Sequence, residues 1–427
     1  MSKDEATRYA EFCQLRQAIR GSAVHLIVGI DVAKDRHHAF FGTATGKTLL
    51  KRLLFDNTRV GFERLLERAG QLGARHGLGH VVFALEPTGN YHKPLAHWLL
   101  AQNQVLVLVT NHAIAENRQT LDGRWDKNDT KDSANIADLV SQGKCRFFEN
   151  PEEDLVELRT LLSVRKRLKK QEHALRMQIR NGLLARYFPE LDRHWGSAIT
   201  ENMAIVRWCL SPRLIASLSF ESFVRRVTRR DGGERQLRRL RTIYEAAAES
   251  VGCPMDAAGV FEARTLVDNF EDARRRRVAC EEKIAMVAGC FPSYRRLLTI
   301  PGFGPYIAAQ VLARIGDPHR FQSRRQVIRL AGLDLNAKRS GRRSNDAVPV
   351  ITKRGNGELR YALYQAARVA SYHHDGFRAL LARYLEGREK ERGIVTKRLV
   401  KLAEKMLVIA WTLMRTQRDF DPKMLGV

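Results

Sequence analysis

The sequence predicts an α/β domain at the N-terminal end, followed by an all-α region with a coiled coil and a helical C-terminal domain carrying a helix-hairpin-helix. Three observations predict this. Short apolar runs that lead into acids, His25–Asp31 and His80–Leu85 followed by Glu86, alternate with helical spacing as far as Cys145. Two long, highly charged segments then carry apolar residues at three-, four- and seven-residue intervals. The last third is again helical around a Pro-Gly-Phe-Gly motif.

In chain order, residues 1–24 form an extension with one polar helix. Residues 25–150 form the α/β domain. His25–Asp31 (HLIVGID) reads as a buried strand, and His37–Thr43 and Leu49–Phe55 pair with it. Val60–Leu72 has helical spacing, His80–Leu85 is a second buried strand, His92–Ala101 a helix and Val105–Val109 a further strand. A central sheet flanked by helices is the expected packing. Gly42–Thr48 imitates a phosphate-binding loop but has three residues between its glycines where four are required; a hairpin turn is expected there, without ATP. The pairs His37–His38 and His373–His374 lack metal spacing and read as structural or solvent-facing.

Residues 151–290 form the coiled-coil hairpin. One helix is marked by Leu155, Leu158, Leu162, Leu168, Leu175 and Ile179, the other by Leu266, Phe270, Ala273, Cys280, Ile284 and Val287. Between them, 187–263 is a small helical insertion rich in arginine over Val224–Arg241. Residues 291–427 form the C-terminal domain.

Composition narrows the partners. The 427 residues are 44% hydrophobic, enough to fold, and 73 Lys+Arg against 47 Asp+Glu leave a formal charge of +26. Such an excess favours a polyanion, nucleic acid before a membrane surface. The longest apolar stretch, Met406–Trp411, is far shorter than the ~20 residues a spanning helix needs. The six cysteines stand singly, as reduced cytoplasmic thiols do.

Asp31 and Glu86 each close a buried-type strand, where side chains leave the core for a crevice. Asp129 and Asp132 stand three apart in Lys127–Ala134, on one face of a helix. Four converging acids suit Mg²⁺, two ions in the phosphodiester scheme, because hard cations prefer carboxylate oxygen. Each acid alone also fits a solvated face, and Asp129 a helix cap.

Leu297–Ile315 (LLTIPGFGPYIAAQVLARI) has the helix-hairpin-helix pattern, in which Gly302 and Gly304 turn the backbone and offer amides to a phosphate. An ordinary packed corner has the same spacing. The following stretch, Ser323–Tyr361, holds ten basic residues and three acids. Within it Ser340 is surrounded by Lys338, Arg339, Arg342 and Arg343, cations that would hold a phosphodiester and the charge developing on it; Lys353 and Arg354 follow. The same residues also describe a phosphate-binding loop whose hydroxyl only donates a hydrogen bond.

Gly29–Asp35 (GIDVAKD), Leu85–His92 (LEPTGNYH) and Lys127–Leu139 (KNDTKDSANIADL) resemble the three blocks of the insertion sequence 110 family of transposases. IPGFGP, FQSRRQVIRLAGLD, the Ser340-Gly341 pair and ITKRGNGELRYALYQAA resemble that family's C-terminal domain. The resemblance implies a RuvC/RNase H-like catalytic domain whose acids are Asp31, Glu86, Asp129 and Asp132. It implies Ser340 as a nucleophile joining covalently to DNA, since Ser344 lacks the following glycine and Thr352 suits support. It also implies a noncoding bridge RNA as guide, and a homo-oligomer, dimer or tetramer, in a bacterial or archaeal cytoplasm on the nucleoid. A metal-dependent structure-specific nuclease resembling a Holliday-junction resolvase is the alternative.

Overall fold

The computed structural model describes residues 5–87, 89–121, 129–196, 199–208, 210–228, 233–336 and 350–426. It divides into two compact units, Met1–Pro151 and Glu152–Val427.

The first unit is a six-stranded mixed sheet with helices on both faces. Helix α1 (Glu5–Ala18) precedes β1 (His25–Asp31), β2 (Arg36–Thr43) and β3 (Thr48–Asp56), then α2 (Arg59–His76), β4 (His80–Leu85), α3 (His92–Ala101), β5 (Val105–Leu108), α4 (Asn111–Leu121), α5 (Asp129–Ser141) and β6 (Arg146–Phe147). The strand order is β3-β2-β1-β4-β5-β6. Strands β1 to β3 are antiparallel neighbours, β4 and β5 run parallel to β1, and the short β6 pairs antiparallel with β5. The expected strands are all present; β6, two residues long, has no apolar run to reveal it. Gly46, at φ 89°, turns β2 into β3, with the Thr43 amide donating to the Lys47 carbonyl at 2.9 Å, so the glycine-rich stretch is a hairpin.

Alternation along β1 explains why it reads as continuously apolar. Leu26, Val28 and Ile30 pack on α2 and α3, whereas Ile27 packs with α1, α4 and α5 on the other face. Gly29 lies on that second face, and a Cβ there would stand 2.2 Å from the Ser133 carbonyl oxygen and 2.8 Å from the Ala137 nitrogen. The missing side chain is what lets α5 lie against the strand.

In the second unit, α6 (Glu153–Gln178) runs on through a π-helical stretch, Ile179–Leu184, into α7 (Ala185–Tyr187). Then come α8 (Ile199–Trp208), α9 (Pro212–Ala216), α10 (Phe220–Val227), α11 (Glu234–Ala248) and the long α12 (Ala257–Gly289). Helices α6 and α12 run in opposite directions side by side: Arg165 bonds Glu281 at 2.7 Å and Arg277 bonds Glu172 at 2.6 Å. One end of the pair joins the core of α13 (Pro292–Leu298), α14 (Pro305–Ile315), α15 (Arg324–Ala331), α16 (Gly357–His373), α17 (Asp375–Leu385) and α18 (Ile394–Thr416). The other end, from Ile179 and from Ala263 to Phe270, is built into a separate core with Tyr187, Trp195, Ile205, Phe223 and Leu240. Two-residue strands β7 (Leu335–Asn336) and β8 (Val350–Ile351) pair antiparallel. No helix among the described residues is long and apolar enough to cross a membrane.

Candidate functional site

The candidate residues fall in two places, one in each unit. In the first, β1 and β4 are parallel and in register, Ile30 beside Leu85, so that Asp31 and Glu86 follow as neighbours at the carboxyl ends of adjacent strands. Both are half-buried. Asp31 follows Ile27 and Gly29 in the alternation, and Glu86 follows Val82 and Ala84, toward the face that α5 covers. That helix brings Asp132, 2% exposed, to the same face, fixed in place by the close approach of Ser133 to Gly29. Asp129 opens α5; its side chain lies outside the described residues.

Asp132 is ion-paired with Arg118 of α4. Below that pair, the Asn117 amide donates to Asn135 at 2.6 Å and to Asp138 at 2.8 Å, and Asn135 donates to the Ile114 carbonyl at 2.8 Å. This polar ladder fixes α4 against α5, and the half-buried Arg118 supplies the positive charge that a buried carboxylate requires. Nothing in the sequence points to Arg118: it precedes its partner by fourteen residues, on a different helix. Hard carboxylate oxygens of this kind suit Mg²⁺. Among the described residues, no group of three or more His, Cys, Asp or Glu side chains is placed to hold a metal ion.

His37, read from sequence as structural or solvent-facing, is fully buried. Its Nδ1 accepts from the Ala33 amide at 3.2 Å, which pins the loop leaving Asp31, and its ring packs edge-on to Phe55. Burial lowers its pKa and the neighbouring His38 lowers it further, against a hydrogen bond with Asn57 that raises it; the ring is neutral, as an acceptor must be.

In the second unit, Gly302 has φ 87°, and a Cβ on it would stand 2.5 Å from the Ala366 carbonyl oxygen. The glycine is therefore demanded by the packing of the α13–α14 turn on α16. Gly304 has open space around it and caps α14 with its backbone alone. Ser340, Lys338, Arg339, Arg342 and Arg343 lie outside the described residues; the described residues on either side pair with each other. Leu335 pairs with Ile351 and Asn336 with Val350. Thr352 donates its hydroxyl to the Asp334 carboxylate at 2.7 Å, and its amide donates to the Asp334 carbonyl at 2.8 Å. Gly355 rests on Gly332 so closely that a Cβ on it would stand 2.2 Å from the Gly332 nitrogen. Lys353, at φ 54°, and Arg354 are exposed beside this anchor, as are Arg324, Arg325 and Arg329 of α15.

Residues 28–189 match a family model described as a transposase of the DEDD type of IS110, and residues 294–383 match the model of the IS116/IS110/IS902 transposase family. The two matches fall in order and together span more than half of the chain. The chain belongs to the insertion sequence 110 family of transposases. It is thus an enzyme acting on DNA, in transposition or recombination. The transposase is 27% identical over 295 residues to the transposase for insertion sequence element IS1111A of Coxiella burnetii, covering 69% of this chain and 68% of that protein. It is 25% identical to the insertion element IS110 43.6 kDa protein of Streptomyces coelicolor, covering 94% of this chain and 96% of the relative. It is 22% identical to the pilin gene-inverting protein of Moraxella lacunata, covering 93% of this chain and 98% of the relative. Asp31, Glu86, Asp129 and Asp132 lie inside the first family match of the transposase, and Gly302, Gly304, Ser340 and its neighbouring cations inside the second.

Proposed function

We propose that this transposase cuts and rejoins the DNA strands of its insertion sequence through Ser340, assisted by Asp31, Glu86, Asp129 and Asp132 in a RuvC-like domain. The observation that carries the reading is the alignment of Asp31 with Glu86 at adjacent strand ends, on the face covered by the helix of Asp132. The Ser340 hydroxyl oxygen bonds to phosphorus, the bond from phosphorus to the departing nucleoside oxygen breaks, and that oxygen takes up a proton. Attack by another strand's hydroxyl on the phosphoserine reverses the exchange and frees the serine. Lys338, Arg339, Arg342 and Arg343 hold the phosphate and its developing charge, and Lys353 and Arg354 hold the flanking backbone. Two Mg²⁺ ions held by the four acids would supply Lewis-acid stabilisation of the phosphodiester oxygens. Arg118 keeps Asp132 oriented toward this site. The α13–α14 turn serves as a helix-hairpin-helix on the DNA backbone, with the Gly304 amide free of side-chain crowding.

A noncoding bridge RNA pairing with donor and target DNA supplies the sequence specificity. The α6–α12 pair is a coiled coil through which copies assemble as a dimer or tetramer, so that Ser340 of one copy meets the acids of another. The complex works on the nucleoid in a bacterial or archaeal cytoplasm.

The test is a denaturing gel of the protein with its element's junction DNA, guide RNA and Mg²⁺, run for wild type and Ser340→Ala. A protein–DNA adduct in wild type alone is expected. An adduct surviving in Ser340→Ala overturns the assignment of the nucleophile. Cleavage without an adduct in either lane favours the resolvase-like nuclease, with water as the attacking group.

A further inference from the structure

The helical module between the two long helices lies mostly outside both family matches, which end at residue 189 and resume at residue 294. Its role is therefore not inherited from either. From Val224 to Arg241 the sequence has eight arginines and two acids, and the structure sorts the described ones into two sets. Arg239 is structural: it is only 20% exposed and pairs with Glu201 at 3.3 Å. Arg225 and Arg226 on α10, and Arg235, Arg238 and Arg241 on α11, are exposed.

Two of these lie over aromatic rings. The Arg226 guanidinium carbon lies 4.9 Å from the centre of the Trp208 ring, and that of Arg241 lies 4.1 Å from the centre of the Phe220 ring. A guanidinium resting over a ring still has N–H groups for an oxyanion, with less rotamer entropy left to lose. Arg235, Arg238 and Arg241 recur every three residues, about 4.5 Å apart along the helix axis, and so form a row. Among the described residues, the ion pair inside the row, Arg238 with Glu234, is long at 3.8 Å and largely exposed to competition. Helix α10 packs on both α8 and α11, and Phe223 of α10 lies with Leu240 and Ile243 of α11 in the module's core, so the row sits on a packed base.

We infer that the α10–α11 face of this module is a second DNA-binding surface, which grips the phosphates of duplex DNA. Duplex DNA is the occupant because this enzyme acts on DNA and the face offers a row of forked cations, which suit backbone phosphates. The inference is independent of Ser340 and of the metal, and rests on the family and the module alone.

The experiment measures binding of the full chain to a fluorescein-labelled mixed-sequence DNA duplex by anisotropy, across a series of salt concentrations. Arg225→Ala/Arg235→Ala/Arg238→Ala is compared with wild type, and with Arg64→Ala/Arg68→Ala/Arg75→Ala, which removes the same charge from exposed positions on α2. The slope of log K against log salt should become shallower by about 2 to 3 in the first variant, since each phosphate left without its cation reduces the slope by about 0.9. The α2 variant should keep the wild-type slope. Arg226→Lys/Arg241→Lys, which keeps the charge and loses the forks, should weaken binding several-fold with little change in slope. An unchanged slope in the first variant overturns the inference, and so does an equal loss in the α2 variant. A loss confined to an RNA duplex of the same sequence overturns the assignment to DNA.

Discussion

Gly29→Ala tests whether the close seating of α5 on β1 makes the site. The added carbon would stand 2.2 Å from the Ser133 oxygen, at least 1 Å inside ordinary contact, and 2.8 Å from the Ala137 nitrogen. Both obstacles are backbone of α5, so no side chain can swing aside. The helix must retreat from the strand by about 1 Å, taking Asp132 with it, or the strand must bend. Overpacking of this size costs about 1–3 kcal/mol, which lowers the unfolding midpoint by several degrees. Catalysis should suffer more, since a displacement of about 1 Å can cost ~10²-fold in rate. DNA affinity should hold, because the exposed arginines are elsewhere. Strand cleavage under single turnover, anisotropy with the same DNA, and thermal unfolding together test this. Cleavage at the wild-type rate would refute the claim that the Gly29 contact positions the acids.

Arg118→Ala leaves the nearly buried Asp132 without its cation; broken buried pairs cost about 3–5 kcal/mol. Because the guanidinium is 22% exposed, the lower half of that range is expected in denaturant unfolding of the variant. Gly302→Ala strains a backbone at φ 87° and meets the Ala366 oxygen, so the melting temperature should fall. Gly304→Ala, with open space and an ordinary φ, should leave it within a degree or two, and an equal loss in both would contradict the packing role given to Gly302. Of the described thiols, Cys253 and Cys290 are exposed and should react rapidly with a disulfide reagent at neutral pH. Cys145 is buried, and burial pushes its pKa up to about 11 despite the opposing pull of Arg16, so it should react only on unfolding.

Legibility followed the reach of each interaction. The runs HLIVGID and HVVFAL announce strands because burial on both faces leaves no room for polar residues, and helices crowd both sides of them. Asp31 and Glu86 were readable as strand-end acids for the same reason. Arg118 was not, since its partner is reached only through the packing of α4 on α5. His37 is structural, the first of the two readings its spacing allowed; a loop amide and two phenylalanine rings, distant in sequence, decide between them. Gly302 was legible as a turn residue, but the neighbour that forbids a side chain there comes from a helix more than sixty residues onward.

The paired helices α6 and α12 have a metric consequence. From Leu158, in the C-terminal core, to Gln178, beside the module's core, α6 rises about 30 Å at ~1.5 Å per residue. Duplex DNA advances ~3.4 Å per base pair, so that span corresponds to roughly nine base pairs. A strut of this length would act as a ruler: contacts made at its two ends would fall about nine base pairs apart, roughly 50–60° short of a full turn of the double helix. Adding or removing a turn of helix in both α6 and α12 would rescale it without touching either core.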